Sequence, residues 1–230
     1  SRKSTRAYGY VKPLFEFLLK GAAFAALQSH DDKRRYERIG LPAEKAFVCG
    51  NVKYDTLSDT PAKVKEVQAL IKQLGWEGKT VFVCGSTHPL EEDILLKSAP
   101  QLIKQGVKII FAPRHLERRT EIEHNLRQSG LSFAMMSQNP AACDILCADQ
   151  MGFLQSLYTC ASITFVGGSI APRGAHNLLE PAIVGKVVLF GKSFHNTPDT
   201  AHALLTRGGG ILVDENNFEQ TVLRLLRDKT

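Results

Sequence analysis

The sequence predicts an α/β fold with a Rossmann-like, doubly wound parallel sheet. From residue 79 onward, short apolar runs rich in β-forming residues alternate with helix-length amphipathic stretches, which is the pattern of parallel strands joined by crossover helices. Several of the helical stretches end at a glycine, a common helix stop. With 230 residues, of which 43% are hydrophobic, the chain can bury one good-sized core or two modest ones.

Seven apolar runs are the predicted strands. They are TVFVCG (80–85), VKIIFAP (107–113), LSFAMM (131–136), DILCAD (144–149), SITFVGG (162–168), KVVLFG (186–191) and GILVD (210–214). Helical patterns lie between or after these runs, at 91–105, 116–130, 151–161, 176–185 and 218–228.

Residues 1–50 are organised differently. A helix predicted around residues 11–20 is followed by a short strand at 23–29, a helix at 31–41 and the apolar AFVCGN. This block is too small for a core of its own. We therefore predict that residues 1–50 are the remnant of an N-terminal domain with its linker, and that residues 51–230 form the second domain. Because the chain opens without Met, we expect a fragment or a trimmed N-terminus.

The net charge of +6 is concentrated near the N-terminus. The basic residues there are Arg2, Lys3, Arg6, Lys12, Lys20, Lys33, Arg34, Arg35 and Arg38. Their clustering predicts either an anionic surface as partner or a solvated helical face, and charge alone does not separate the two. The apolar window at 10–27 contains Lys12, Pro13, Glu16 and Lys20, so it does not predict a membrane-spanning helix. Aromatic and basic residues are not interleaved, which argues against nucleic acid as a partner.

The cysteine pattern argues against disulfides and against a metal site. The five cysteines are an odd number, and four of them lie in or beside apolar runs, as expected of buried reduced thiols. Cys143 and Cys147 lack the two-residue spacing of zinc knuckles and have no second pair near them. We expect no metal and no cofactor.

Ligands of open α/β sheets bind at the carboxyl ends of the strands, so the residues that follow each run are the candidate site. Ser86, Thr87 and His88 follow the first run, at a helix start where free N–H groups can bind an anion. The neighbouring Pro89, Glu91 and Glu92 are explained by helix-start chemistry alone. After the second run stand Pro113, Arg114 and His115, and an Arg at that place suits bidentate binding of a phosphate.

The later runs add three further groups of candidates. After 144–149 come Asp149, Met151 and Gly152, in which Asp149 either caps a helix or faces the ligand, and Met151 either fills the core or contacts a base. After 162–168 come Gly167, Gly168 and Ser169, where glycines allow a close backbone approach. Last are His176, Asn177 and Glu180. The three-residue spacing of Asn177 and Glu180 predicts one helical face, suited to sugar hydroxyls or to solvent.

These motifs, in this order, resemble the bacterial 3-deoxy-D-manno-octulosonic acid (Kdo) transferases. The motifs are Gly50-Asn51 with Lys53, STHP (86–89) with Glu91 and Glu92, PRH (113–115) with Glu117 and Arg118, Asp149 with Met151-Gly152, FVGGS (165–169) and HNLLEPA (176–182). The resemblance covers essentially the whole chain, since the opening SRKST and the segment QSHDDKRRYERIG are similar to the end of that family's N-terminal domain.

The resemblance implies the C-terminal, donor-binding half of a glycosyltransferase-B fold. It implies CMP-Kdo as donor, a lipid A precursor as acceptor, an anionic membrane surface as partner, and the cytoplasmic face of the bacterial inner membrane as location. Arg114 and the turn at 86–88 are then expected at the phosphate and the Kdo carboxylate, and Asn177 and Glu180 at the ribose or sugar. Met151 and the turn at Pro113 are expected at cytosine.

Two departures and one missing element qualify what the resemblance implies. Phe153 stands where the family has Glu, and Ala175 stands where it has Gly before the His. The family's general base is an acidic residue of the N-terminal half, so we expect this chain to bind the donor without transferring the sugar. Two alternatives stay open: a glycosyltransferase-B or epimerase domain using a UDP-sugar, and a non-catalytic nucleotide-binding module.

Overall fold

A computed structural model describes residues 12–50 and 61–227. The opening SRKST, together with Asn51 and Lys53 of the resemblance, lies outside these described residues. The chain divides into two compact units, Ser1–Ser58 and Asp59–Thr230. The predicted division between residues 50 and 51 stays a prediction, because the segment that follows residue 50 is not described.

In its described residues, 12–50, the first unit is a small arrangement of two α-helices and two parallel strands. It contains α1 (Lys12–Lys20), β1 (Ala25–Leu27), α2 (His30–Arg38) and β2 (Ala46–Val48), with β1 paired to β2. Ser29 caps α2, since its hydroxyl accepts a hydrogen bond from the amide of Asp32. The core of this unit is small and rests on Leu27, Leu41 and Ala46.

The second unit is a parallel α/β sheet, as predicted. Its strands are β3 (Thr80–Thr87), β4 (Val107–Pro113), β5 (Phe133–Met135), β6 (Ile145–Cys147), β7 (Ile163–Val166), β8 (Val188–Phe190) and β9 (Gly210–Leu212). Its helices are α3 (Pro61–Gln73), α4 (Pro89–Lys104), α5 (Arg119–Gln128), α6 (Leu154–Thr159), α7 (Leu179–Ile183), α8 (Pro198–Thr206) and α9 (Phe218–Arg227). Six of the seven predicted runs contain one of these strands, and β3 covers the seventh run, 80–85, and extends two residues beyond it to Thr87.

The strands lie in the order β5-β6-β4-β3-β7-β8-β9, and all pairs are parallel. The chain places β4, β5 and β6 on one side of β3, with β5 at the edge and β6 between β5 and β4, and then continues from β7 on the other side. The strand order therefore reverses between β3 and β7. In open parallel sheets this switch point is where the crevice for a ligand opens.

Helices cover both faces of the sheet, which is what doubly wound means. Apolar side chains of α3, α6, α7 and α8 pack on one face around Val81 and Val83. Those of α4, α5 and α9 pack on the other face around Phe82 and Cys84. The alternation of neighbouring β3 residues between the two clusters follows from the two-residue period of a strand.

Some predictions about the helices and thiols are corrected. The helix α8 is absent from the predicted set, and the helix expected at 176–185 shrinks to the five residues of α7. All five cysteines are free, but Cys49 is exposed rather than buried. No helix of the described residues is long and apolar enough to cross a membrane.

Candidate functional site

The switch point is shaped by a tight contact between the end of β3 and the loop after β7. Ser86 has a φ of +55°, and the pairing of β3 with β4 shifts register between Gly85 and Thr87. A Cβ on Gly167 would lie 2.2 Å from the carbonyl oxygen of Ser86. Only glycine fits there, so the predicted close backbone approach at Gly167 is made to the protein's own β3.

The carboxylate of Glu91 lies at the centre of this turn. It is buried, with 2% exposure, and it accepts hydrogen bonds from the amide of His88 and from all four amides of residues 168–171, at 2.8 to 3.2 Å. From the sequence alone, Glu91 is explained as an acidic residue at a helix start. Glu91 does form a capping box with His88. Its bonds to the loop 168–171 join segments 77 to 80 residues apart, which no local pattern predicts.

Gly168 and Ser169 are consequently engaged within the protein. Their amides bond to Glu91, and the hydroxyl of the buried Ser169 donates to the carbonyl of Val166 at 2.6 Å. These groups are not free to donate to a ligand. The expectation of direct ligand contact at Ser169 is therefore revised to a role in holding the loop.

Three histidines that the sequence singled out separately are brought together. Nε2 of His88 lies 3.0 Å from Nε2 of His176, with the rings stacked, and the ring of His115 meets that of His88 edge-on at 5.4 Å between centroids. The pKa of His176 is lowered to about 4, mainly by burial and to a smaller extent by the charges of His88, Arg114 and His115. Burial also lowers the pKa of His88, although Glu91 opposes the shift.

A cleft of about 100 Å³ opens beside this cluster. Five predicted residues line it, namely Ser86, Pro113, Arg114, Met151 and Gly152. Met151 is 72% exposed, so the alternative that it fills the core is wrong. An exposed thioether at the rim of a cleft is an adaptable apolar surface for a flat ring.

Two donors at this edge have no partner within the described part of the chain. The exposed Arg114 is fixed by a bond from its amide to the carbonyl of Thr87 at 3.0 Å, while its guanidinium forms no ion pair with another described residue. The hydroxyl of Thr87 is buried without a hydrogen-bond partner. A buried unpaired hydroxyl costs about 1–3 kcal/mol, which a ligand oxygen could recover.

Asn177 and Glu180 contact each other, but not as residues of one helix. Asn177 precedes α7, and its Oδ1 accepts from the amide of Leu179 while its Nδ2 donates to Glu180 Oε1 at 3.2 Å. The two polar groups thus converge at the helix start. Burial raises the pKa of Glu180, and the bond from Asn177 opposes the shift. Burial, and to a smaller extent the charge of Glu180, raises the pKa of Tyr158.

Asp149 is not a helix cap, because α6 begins five residues later. Its side chain accepts from the amide and the hydroxyl of Ser137 and lies 3.3 Å from Nε of Arg119. Its carboxylate is therefore engaged by the segment after β5 and by the start of α5, although its neighbours Ala148 and Gln150 line the cleft.

Besides Glu91, Lys63 and Tyr158 contact residues of the site, and neither was predicted from the sequence. Lys63 donates to the carbonyl of Gly152 at 2.7 Å, and its ammonium lies 5.5 Å from the ring centre of Phe153. The hydroxyl of Tyr158 lies where a Cβ on Gly85 would stand. Both side chains contact residues that are far away in the sequence. The sequence marks only the contacted residues, which are glycines and one aromatic residue.

A larger cavity of about 530 Å³ lies elsewhere, between the N-terminal half of α4 and the start of α9. Its lining carries three carboxylates, Asp93, Glu215 and Glu219, against the single cation of Lys97. Such a surface repels an anionic ligand. Size alone would favour this cavity, but charge favours the smaller cleft beside Arg114 and the histidines.

The seven-stranded parallel sheet with helices on both faces is that of the C-terminal half of a glycosyltransferase-B fold. A family model described as 3-deoxy-D-manno-octulosonic-acid transferase matches residues 1–56. The 3-deoxy-D-manno-octulosonic acid transferase of Chlamydia muridarum is 32% identical over 100% of this chain and 54% of its own length. The chain is similar to Kdo transferases over its whole length, and it spans about half the length of the curated relatives it matches.

Solved structures agree with this assignment. The C-terminal CMP-Kdo binding domain of WaaA from Acinetobacter baumannii matches with a TM-score of 0.66 and 27% identity, over 73% of this chain and 89% of that domain. The UDP-GlcNAc 2-epimerase of Methanocaldococcus jannaschii matches with a TM-score of 0.59 and 15% identity, over 90% of this chain and 55% of the epimerase. The epimerase likeness concerns the fold alone.

Proposed function

We propose that this chain binds CMP-Kdo and serves an enzyme that transfers Kdo to a lipid A precursor. The observation that carries the proposal is the conjunction at the switch point of Arg114, which has no ion-pair partner among the described residues, the histidine cluster and the cleft at Met151. The likeness to a domain named for CMP-Kdo binding supports the same donor.

The phosphate of the donor goes to Arg114 in this proposal. A guanidinium presents paired N–H donors that match two phosphate oxygens. The neighbouring His88 and His176 supply further ring nitrogens, and Arg173 lies close enough to lower the pKa of His88. The carboxylate of Kdo is a second anion that the same cationic edge accommodates. One phosphate diester can be neutralised by these groups without a metal ion.

The nucleoside occupies the cleft and its rim. Met151 and Pro113 give apolar surface for cytosine, and the hydroxyl of Ser86 lies at the same opening. Glu180, held by Asn177, is the proposed acceptor for the ribose hydroxyls. Gly152 closes the far side, where its carbonyl is held by Lys63.

Calorimetric titration of the chain with CMP and with UMP tests the proposed donor. We expect saturable CMP binding and at least roughly ten-fold weaker binding of UMP, because the two bases present opposite hydrogen-bonding groups at N3 and at the C4 substituent. Preference for UMP would favour the UDP-sugar alternative. Binding of neither nucleotide would contradict the proposal.

We propose further that the first unit contacts an anionic membrane at the cytoplasmic face of the bacterial inner membrane, where a lipid A precursor would be the acceptor. Leu14, Phe17 and Leu18 of α1 are exposed, with Phe17 at 77%, and the basic Lys20 ends the same helix. Exposed apolar side chains next to cations suit the interface of an anionic bilayer, where each cation contributes about 1 kcal/mol.

Co-sedimentation with vesicles of phosphatidylglycerol and phosphatidylethanolamine tests the membrane contact. Substitution of both Phe17→Ser and Leu18→Ser should reduce the bound fraction at low salt. The control Ile183→Ser, which removes a half-exposed apolar residue of the second unit, should not. Equal binding of the two variants would contradict the membrane proposal and indicate that α1 packs on protein instead.

A further inference from the structure

We propose that Glu91 is a positioning residue of the donor site, whose carboxylate fills a backbone anion cradle and thereby sets the positions of His88 and His176. The inference rests on the proposed function for the identity of the donor. The cradle itself rests on the geometry alone.

The cradle is made of five amides that converge on one carboxylate. Oε1 of Glu91 accepts from the amides of Ser169, Ile170 and Ala171, and Oε2 accepts from those of His88 and Gly168. Successive N–H groups that point into one concavity form an anion site, the arrangement that many proteins use to bind phosphate. Here the anion is a side chain of the protein, buried at 2% exposure.

The carboxylate connects the two sides of the switch point. His88 opens α4 after β3, whereas residues 168–171 follow β7. The loop in turn fixes His176, because the amide of His176 donates to the carbonyl of Gly167 at 3.0 Å and its ring lies 3.0 Å from where a Cβ on Gly168 would stand. The carboxylate of Glu91 therefore fixes the backbone segments that carry His88 and His176, whose Nε2 atoms lie 3.0 Å apart.

A filled cradle also decides how a ligand anion can be bound. With all five amides used by Glu91, the phosphate of the donor must be bound by side chains such as Arg114 and the histidines. This differs from folds in which a glycine-rich loop gives its amides to the phosphate. In this site Gly167 and Gly168 allow close contacts between segments of this chain, rather than the close approach of a ligand.

The test is chemical rescue of the variant Glu91→Ala, which empties the cradle. We expect CMP affinity to fall by about ten- to hundred-fold, as for other residues that orient binding groups. Formate, a carboxylate small enough for the vacated space, should restore most of that loss, while sodium chloride at equal ionic strength should not. Wild type should show no formate effect.

Glu92→Ala is the matched control. Glu92 is the next residue of the same helix and is equally buried, but its carboxylate binds Arg118 at 3.0 and 3.1 Å instead of amides. Its loss should lower the melting temperature without lowering CMP affinity at a temperature where the variant is folded, and formate should not affect it.

A readout without CMP separates this inference from the proposed function. Side-chain imidazole signals in ¹H–¹⁵N spectra of the apo chain should change for His88 and His176 in Glu91→Ala and return towards their wild-type positions with formate. That result would support the cradle even if the chain failed to bind CMP. Unchanged imidazole signals, or CMP binding equal to wild type, would overturn the inference.

Should Glu91→Ala fail to fold, Glu91→Gln decides. Its amide group keeps the shape but turns an N–H donor towards at least two of the cradle's N–H groups. We expect it to fold and to bind CMP more weakly than Glu92→Gln does. Equal CMP binding by the two glutamine variants would overturn the inference.

Discussion

Nε2 of His88 and Nε2 of His176 lie 3.0 Å apart, and their rings are parallel to within 9°. A hydrogen bond between two imidazole nitrogens requires one to carry a proton and the other to accept it, so the pair is held together only while at least one ring is neutral. Burial, and to a smaller extent the neighbouring charges of Arg173 and Arg114, lowers the pKa of His88 and favours its neutral state. Protonation of both rings would break the contact.

The stability of the chain should therefore fall in mild acid. The pKa of His176 is about 4 in the folded protein against 6.5 as its ordinary value. Between these two values the unfolded chain binds more protons, so the free energy of unfolding decreases as the pH falls from 6.5 towards 4. Urea denaturation at several pH values measures this slope. His176→Asn should flatten it, and an unchanged slope would contradict the assignment.

Arg114→Ala should weaken CMP binding without destabilising the fold. Loss of a charge-assisted bond is worth on the order of 1.5–3 kcal/mol, or roughly a ten- to hundred-fold loss of affinity. The melting temperature without ligand should barely move, because the side chain is exposed. Arg207→Ala, an exposed Arg just after α8 and towards the opposite edge of the sheet, is the control. Normal CMP binding by Arg114→Ala would contradict the phosphate assignment.

Glu180→Gln should weaken CMP binding through the ribose. Its penalty should shrink for the dideoxy analogue of CMP, which lacks the hydroxyls that the carboxylate accepts from. Glu215→Gln, on the rim of the acidic cavity, should bind both nucleotides as wild type does. If Glu180→Gln instead melts early and keeps the wild-type preference for ribose over dideoxyribose, Glu180 is a structural carboxylate.

Donor binding should not depend on a divalent metal ion. The guanidinium of Arg114 can neutralise the single charge of a phosphate diester, and among the described residues no group of three or more His, Cys, Asp or Glu side chains is arranged to hold a metal. Titration with CMP in the presence of EDTA should give the same affinity as titration without it. A marked loss would indicate a metal near His176.

The sheet could be predicted from the sequence because each strand is an apolar run bounded by polar or glycine residues, and burial on both faces leaves few alternatives. The helix α8 was missed because it buries only Thr200 and Ala201 among its residues, so it carries little apolar periodicity. The length of α7 was overestimated because Asn177 binds the helix start from outside.

The sequence predicts which residues of the candidate site follow strand ends, but it does not predict the contacts between their side chains. Topology brings Ser86, Arg114 and Met151 to one cleft, and the rule about strand ends anticipates that. The pairing of His88 with His176 and the five bonds of Glu91 depend on side-chain directions across the switch point. Asp149 illustrates the converse, since it follows a strand end yet is engaged by Ser137 and Arg119.

The location of the donor site is tested most directly by ¹H–¹⁵N correlation spectra of the chain during a titration with CMP. We expect the amide signals of Arg114, Met151, Gly152 and His176 to shift in a saturable way. The signals of Lys97, Glu215 and Gln220, which line the larger acidic cavity, should stay in place. Saturable shifts confined to that cavity, with the signals around Arg114 unchanged, would contradict the assignment of the switch point as the donor site.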